Sequence, residues 1–138
     1  MKQFYIVILM CFLVSCQSNK KMATENPEKM TSDTIRIANE ELEYEVVIID
    51  AGFTSWYNAY AKPRGYYSQS YLESRNRIWV TEWNARSRNP QYSDLYQLPI
   101  DYQFDINYGY EVNYMLYYYL VYFQLTNKQQ LGGFTARI

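Results

Sequence analysis

The residues that could do chemistry in this chain are arginines, carboxylates and tyrosines. Lys62, Arg64, Arg75, Arg77, Arg86 and Arg88 are crowded between positions 62 and 88, opposed there only by Glu73 and Glu82. Glu40 to Asp50 is acidic, and Asp94, Asp101, Asp105 and Glu111 follow with no basic residue before Lys128. A guanidinium is a planar fork that matches a carboxylate or phosphate two bonds at a time. Arg64, Arg75 and Arg86 could therefore line a cleft for an anion or glycan. The plainer reading is that the basic stretch pairs within the molecule, as most surface charges do, each pair being worth little. Glu73 with Glu82, or Asp101 with Glu111, could supply the two carboxyl groups of a glycoside hydrolase. Their spacing singles out neither pair.

What is missing narrows the chemistry. The chain has no histidine, which removes the commonest general base and metal ligand and every His-dependent triad. It contains no glycine-rich phosphate loop, no zinc-type spacing and no nucleophile elbow. A net charge of −1 argues against a nucleic-acid partner, which needs a basic footprint. The expectation is a non-enzymatic protein with no cofactor and no metal.

The 17 tyrosines are the remaining candidates. The stretch Gly109 to Phe123, G-Y-E-V-N-Y-M-L-Y-Y-Y-L-V-Y-F, places Val112, Leu116, Tyr119, Leu120 and Phe123 on one face of a helix. Tyr110, Tyr114, Tyr117, Tyr118 and Val121 fall on the opposite arc. Such an arc is either covered by other segments or is an aromatic platform for a protein, a glycan or a membrane interface. The expected outcome is split, with Tyr114 and Tyr117 buried and Tyr110 and Tyr118 at least partly exposed.

The N-terminus carries an address. Lys2 precedes an apolar run from Phe4 to Val14, the charged and hydrophobic regions of a secretory signal and too short to span a bilayer. The run ends in Leu13-Val14-Ser15-Cys16, which resembles the lipobox of bacterial lipoproteins. The resemblance implies a signal peptide over 1–15, lipid on Cys16 and a membrane partner through that lipid. Acyl chains anchor by about 0.8 kcal/mol per buried methylene. The other cysteine, Cys11, would leave with the signal, so the mature chain would have no free thiol. Residues 16–33 are polar, aperiodic and contain Pro27, which reads as a flexible tether. Gln17 is not the aspartate that retains many lipoproteins at the inner membrane, and no acidic export cluster follows. Both features favour an outer-membrane anchor facing the periplasm.

The elements that must position these groups follow in order. Leu42 to Asp50 alternates and then turns continuously apolar, as a strand entering a core does, and Thr34 to Ala38 offers a further short strand. Phe53, Trp56, Tyr57, Tyr60 and Ala61 repeat at helical spacing up to the Lys62-Pro63-Arg64-Gly65 turn. Ser70 to Glu73 matches a capping box, opening a helix with Leu72, Trp79, Val80 and Trp83 buried and ending near Arg88. Glu73–Arg77 and Glu82–Arg86 are i, i+4 pairs in the favourable order. Ile78-Trp79-Val80 keeps a strand open as the rival reading. Tyr96, Leu98, Ile100 and Tyr102 alternate with polar partners and read as a strand that Pro99 confines to an edge. Asp105 and Asn107 offer caps for the tyrosine-rich helix, and Gly132-Gly133 ends the domain. The predicted fold is α+β, a two- or three-stranded sheet packed against about three helices. The domain spans 34–131, with a C-terminal tail over 132–138.

Three blocks, K-P-R-G-Y-Y-S-Q-S-Y-L-E at Lys62 to Glu73, R-I-W-V-T-E-W-N at Arg77 to Asn84 and D-I-N-Y-G-Y-E-V-N-Y at Asp105 to Tyr114, resemble an uncharacterised family of small Bacteroidetes-type lipoproteins. The resemblance covers about Glu43 to Leu125. It implies the lipoprotein address and transfers no site. Together these readings give a lipid-anchored envelope module that binds an envelope protein or glycan, or has a structural role. The alternative is a small envelope enzyme acting on glycan or peptide through carboxylates.

Overall fold

The computed structural model describes residues 34–39 and 44–138; the expected signal peptide over 1–15, the expected tether over 16–33 and Cys16 lie outside the described residues. Strand β1 (Thr34–Asn39) runs antiparallel to β2 (Tyr44–Ile49), with register from Thr34 opposite Ile49 to Asn39 opposite Tyr44. Helices α1 (Ala51–Tyr60), α2 (Gln69–Ser87) and α3 (Gly109–Thr126) follow, with a short 3₁₀ turn at Pro90–Tyr92 after α2. The result is a small mixed fold dominated by helices. The described strands form one two-stranded antiparallel sheet, from which Ile48 joins a core built mainly by the helices.

Side chains meet free amides where the helices begin, although Tyr108, the N-cap of α3, contributes none itself. Asp50 caps α1, accepting from Gly52 N at 2.8 Å and Phe53 N at 3.2 Å. Ser68, two residues ahead of the expected Ser70, caps α2 by accepting from Tyr71 N. Asn107 accepts from Gly109 N at 3.1 Å just before α3. The helical reading of 78–80 is the observed one, and Leu72, Trp79, Val80 and Trp83 are buried as expected, joined by Asn76. Of the two i, i+4 pairs, Glu82–Arg86 forms at 2.8 Å. Arg77 instead donates to the Phe104 carbonyl, and Glu73 accepts from Gln69.

The expected strand over Tyr96–Gln103 does not form. Pro99 withholds one ladder donor, and α2 side chains take the neighbouring backbone groups. Trp83 Nε1 donates to Leu98 O, Asn84 Nδ2 donates to Ile100 O, and Asn84 Oδ1 accepts from Ile100 N at 2.7 Å. Tyr108 Oη accepts from Gln103 N. The alternation reflects anchoring instead: Tyr96 and Tyr102 are buried while Leu98 points outward.

Helix α3 is the axis of the domain. It is buried nearly all round, from Val112 through Gln124, and α1 and α2 each pack against it. Gln124 donates to Leu120 O and accepts from Leu131 N at 2.8 Å. That bond draws the C-terminal segment back, so Leu131 and Ala136 join the core; part of the expected tail is thus interior.

A polar knot crosses the core between α2 and α3. Asn76 Nδ2 donates to Asn113 O at 2.9 Å and to Asn113 Oδ1 at 3.2 Å. The Tyr102 hydroxyl donates to Asn113 Oδ1 at 2.7 Å, and Asn113 Nδ2 donates to Gly109 O. Asn113→Ala is expected to destabilise the domain by about 2–4 kcal/mol, because buried groups on Tyr102 and Asn76 lose an acceptor. A denaturation midpoint equal to that of the parent would contradict this.

Candidate functional site

The three arginines do not converge. Arg64 Nε donates to both carboxylate oxygens of Glu111 at 2.8 Å, near the start of α3, and its guanidinium lies 4.9 Å from the Tyr114 ring centre. Arg86 sits by the far end of α3, donating to Glu82, the Tyr96 hydroxyl and Gln130 O. Burial opposes the charge of both, but Glu111 with the Tyr57 and Tyr114 phenols around Arg64, and Glu82 with Tyr96 around Arg86, together outweigh it and hold both guanidiniums above their ordinary pKa. Arg75 is stacked 4.0 Å from the Phe134 ring centre and 5.1 Å from that of Tyr71. These are intramolecular partners at separated places, not the donor set of one anion cleft.

The tyrosine arc is covered. Tyr114 and Tyr117 are buried as expected, but Tyr118 is buried with them at 2% exposure, and Tyr110 is half-buried. The cover is the turn between α1 and α2. Tyr118 Oη accepts from Lys62 N at 2.9 Å, Tyr114 Oη donates to Lys62 O, and Tyr110 Oη accepts from Gly65 N at 2.7 Å. Residues 110, 114 and 118 rise one above another on the helix, so their hydroxyls stitch the turn down along α3. Tyr117 faces α2 and stacks on Trp79 with ring centres 5.3 Å apart. Burial raises the pKa of all three buried phenols, that of Tyr118 to about 12 despite the Lys62 amide.

The acid pairs are likewise separated in use. Glu73 accepts from Gln69, Glu82 from Arg86 and Glu111 from Arg64. Asp101 alone of the four lies on an open cleft. Among the described residues no cluster of His, Cys, Asp and Glu could hold a metal ion, and no helix is long and apolar enough to cross a membrane.

That cleft is a large concavity built by several elements, and sequence reasoning did not single it out. Its volume is about 750 Å³. One wall is Val47 to Asp50 of β2 and its end; the other is the Leu95–Asp101 segment held by α2. Trp83, Leu116, Tyr119 and Phe123 form the floor. Val47, Ile49 and Leu98 stand at the mouth, 47%, 77% and 75% exposed. Among the described residues, Asp50 and Asp101 are the ionisable groups of its lining. Asp50 is fixed by its cap and by the Tyr122 hydroxyl at 3.0 Å. The signals available were the run Val46 to Ile49 and the Leu98-Pro99-Ile100 triplet; their juxtaposition was not.

The chain matches a family of unknown function, DUF6146, over residues 4–137, and belongs to it. No curated protein and no solved structure matches the chain.

Proposed function

We propose that the protein is a lipid-anchored module of the cell envelope, held at the outer membrane through Cys16 and facing the periplasm, whose domain binds a partner rather than catalysing a reaction. The observation that carries the binding reading is the cleft between β2 and the Leu95–Asp101 segment. Its floor is aromatic and aliphatic, and Val47, Ile49 and Leu98 are left uncovered at its mouth. Clustered exposed aliphatic residues around a concavity are what a recognition surface requires. Of the four acids that an enzyme would use, Glu82 and Glu111 are held in ion pairs with Arg86 and Arg64 and Glu73 accepts from Gln69, while Asp101 lies on the cleft, which favours the binding reading over the enzymatic alternative. The address rests on the L-V-S-C sequence at the end of the apolar run.

Two measurements test this reading. Cys16→Ser is expected to abolish fatty-acid labelling and membrane association; label that persists in the serine variant refutes the anchor. A photo-crosslinker at Leu98, used in intact cells, is expected to capture one discrete partner, whereas one at exposed Tyr66, remote from the cleft, captures none.

A further inference from the structure

We infer that a second surface, on the outer side of α2, rests on the membrane: Arg75, Ile78, Phe104 and Phe134 form a contact patch for a bilayer that carries anionic headgroups. This rests on the lipid-anchored reading and says which side of the domain meets the bilayer. Helix α2 buries Leu72, Asn76, Trp79, Val80 and Trp83, while Ile78 stands outside that set, 38% exposed. Ile78 and Phe104 line one groove of about 380 Å³ with Arg77, Thr81, Glu82 and Gly132. Gly132, at φ +81°, lies so close that an added Cβ would come within 2.8 Å of the Ile78 side chain. The C-terminal segment is thereby seated on α2, and Phe134 follows it onto the same surface beside Arg75. Phe104 and Phe134 are left 46% and 47% exposed. Large rings held half in water around a third apolar side chain are what a surface met by an apolar phase presents. None of these residues lines the cleft.

Two arginines supply the other half of the match. The Arg75 guanidinium lies 4.0 Å from the Phe134 ring centre and 5.1 Å from that of Tyr71. Arg77 Nη2 donates to the Phe104 carbonyl. Neither arginine is in an ion pair among the described residues, so both keep donors to offer to a phosphate. Of the acids nearby, Glu82 is held by Arg86 and Glu73 accepts from Gln69. Asp105, next to Phe104 in the chain, is one acid against two guanidiniums. Rings that enter the headgroup layer, with arginines beside them that reach its phosphates, are the composition of a membrane-surface contact. The anchor favours this occupant over a protein. Residues 17–33, read as a tether, would span roughly 20–25 Å end to end. A bilayer held that near is present at high effective concentration, so even a weak contact is occupied.

The test reconstitutes the native lipidated chain into phosphatidylcholine vesicles, with and without phosphatidylglycerol. An environment-sensitive dye is placed on Thr135→Cys, beside Phe134, or on Leu98→Cys at the cleft. The Thr135 dye is expected to enter an apolar environment on the phosphatidylglycerol vesicles and to leave it in high salt, while the Leu98 dye stays in water. Arg75→Gln should lower the ratio of docked to free domain about fivefold, and Phe134→Ser about tenfold, each with the melting temperature of the parent. A Thr135 dye that stays in water on an anchored chain overturns the inference and leaves the anchor standing. An equal response on neutral vesicles, or a response at Leu98 in place of Thr135, overturns it as well. So does a dye response without vesicles that Phe134→Glu abolishes, which identifies the occupant as a second copy. A chain that neutral vesicles fail to retain refutes the anchor. For such a chain, retention by phosphatidylglycerol vesicles that Arg75→Gln weakens sustains the patch, and no retention overturns it.

Discussion

Raising the pH from 10 to 12 is expected to unfold the domain in one cooperative step. Burial pushes Tyr102 to about 12, with the negative charge of Glu73 adding to it, and burial likewise pushes Tyr118 to about 12. A tyrosine in the unfolded chain titrates near 10. With the folded pKa raised, the native state holds its phenolic protons where the unfolded state has lost them. The stabilisation from keeping these phenols neutral is therefore complete below about pH 10 and drains as the pH climbs toward 12. Each such group contributes about 1.4 kcal/mol per pH unit in that window. Tyr102 and Tyr118 together remove about 5 kcal/mol, comparable with the whole stability of a small domain. Burial drives Tyr114 and Tyr117 in the same direction. Tyrosinate absorbance should rise together with loss of helical circular dichroism. A gradual titration with helices intact at pH 12 would show that these rings are not sealed in the core.

Tyr118→Ala should cost about 3–5 kcal/mol, the range for deleting a buried aromatic ring. Its ring lies within 4.9 to 6.5 Å of those of Tyr114, Tyr117, Tyr57 and Trp56, centre to centre. The substitution leaves a cavity between α1 and α3 and also deprives Lys62 N of its acceptor. Tyr118→Phe separates these effects: it keeps the ring and should cost only about 1–3 kcal/mol, the range for an unpaired buried donor. Chemical denaturation of the pair reads the difference directly. An alanine variant with the parent midpoint would return Tyr118 to the exposed face that the helical pattern suggested.

That pattern shows where sequence reasoning reached and where it stopped. Periodicity placed α2 and its stripe of Leu72, Trp79, Val80 and Trp83 correctly, because a helix with one buried face writes itself into the spacing. In α3 the same tool divided the residues into a core face and an outer arc, but a helix covered on both sides has no outer arc to find. Tyrosine hides this case, since a ring whose hydroxyl reaches a backbone group is as much at home inside as at a surface. The strand expected at Tyr96–Gln103 misled for a related reason. Alternation found the two buried rings, Tyr96 and Tyr102, but not the outward turn of Leu98 between them or the backbone's pairing with the tip of Asn84. The cleft joins residues about 50 positions apart, and no local spacing encodes such a meeting.

The central place of α3 also sets the order in which the molecule can assemble. Helices α1 and α2 each find their main partner in a helix that comes after both of them in the chain. A polypeptide made N-terminus first therefore presents Phe53, Leu72 and Trp79 before anything exists to cover them. About 40 more residues separate the end of α2 from the end of α3, a delay on the order of seconds at ordinary synthesis rates. During that interval the chain has no finished core and stays open to threading, and to capture by a holdase. The core can close only once α3 is made, with Gln124 then in reach of Leu131.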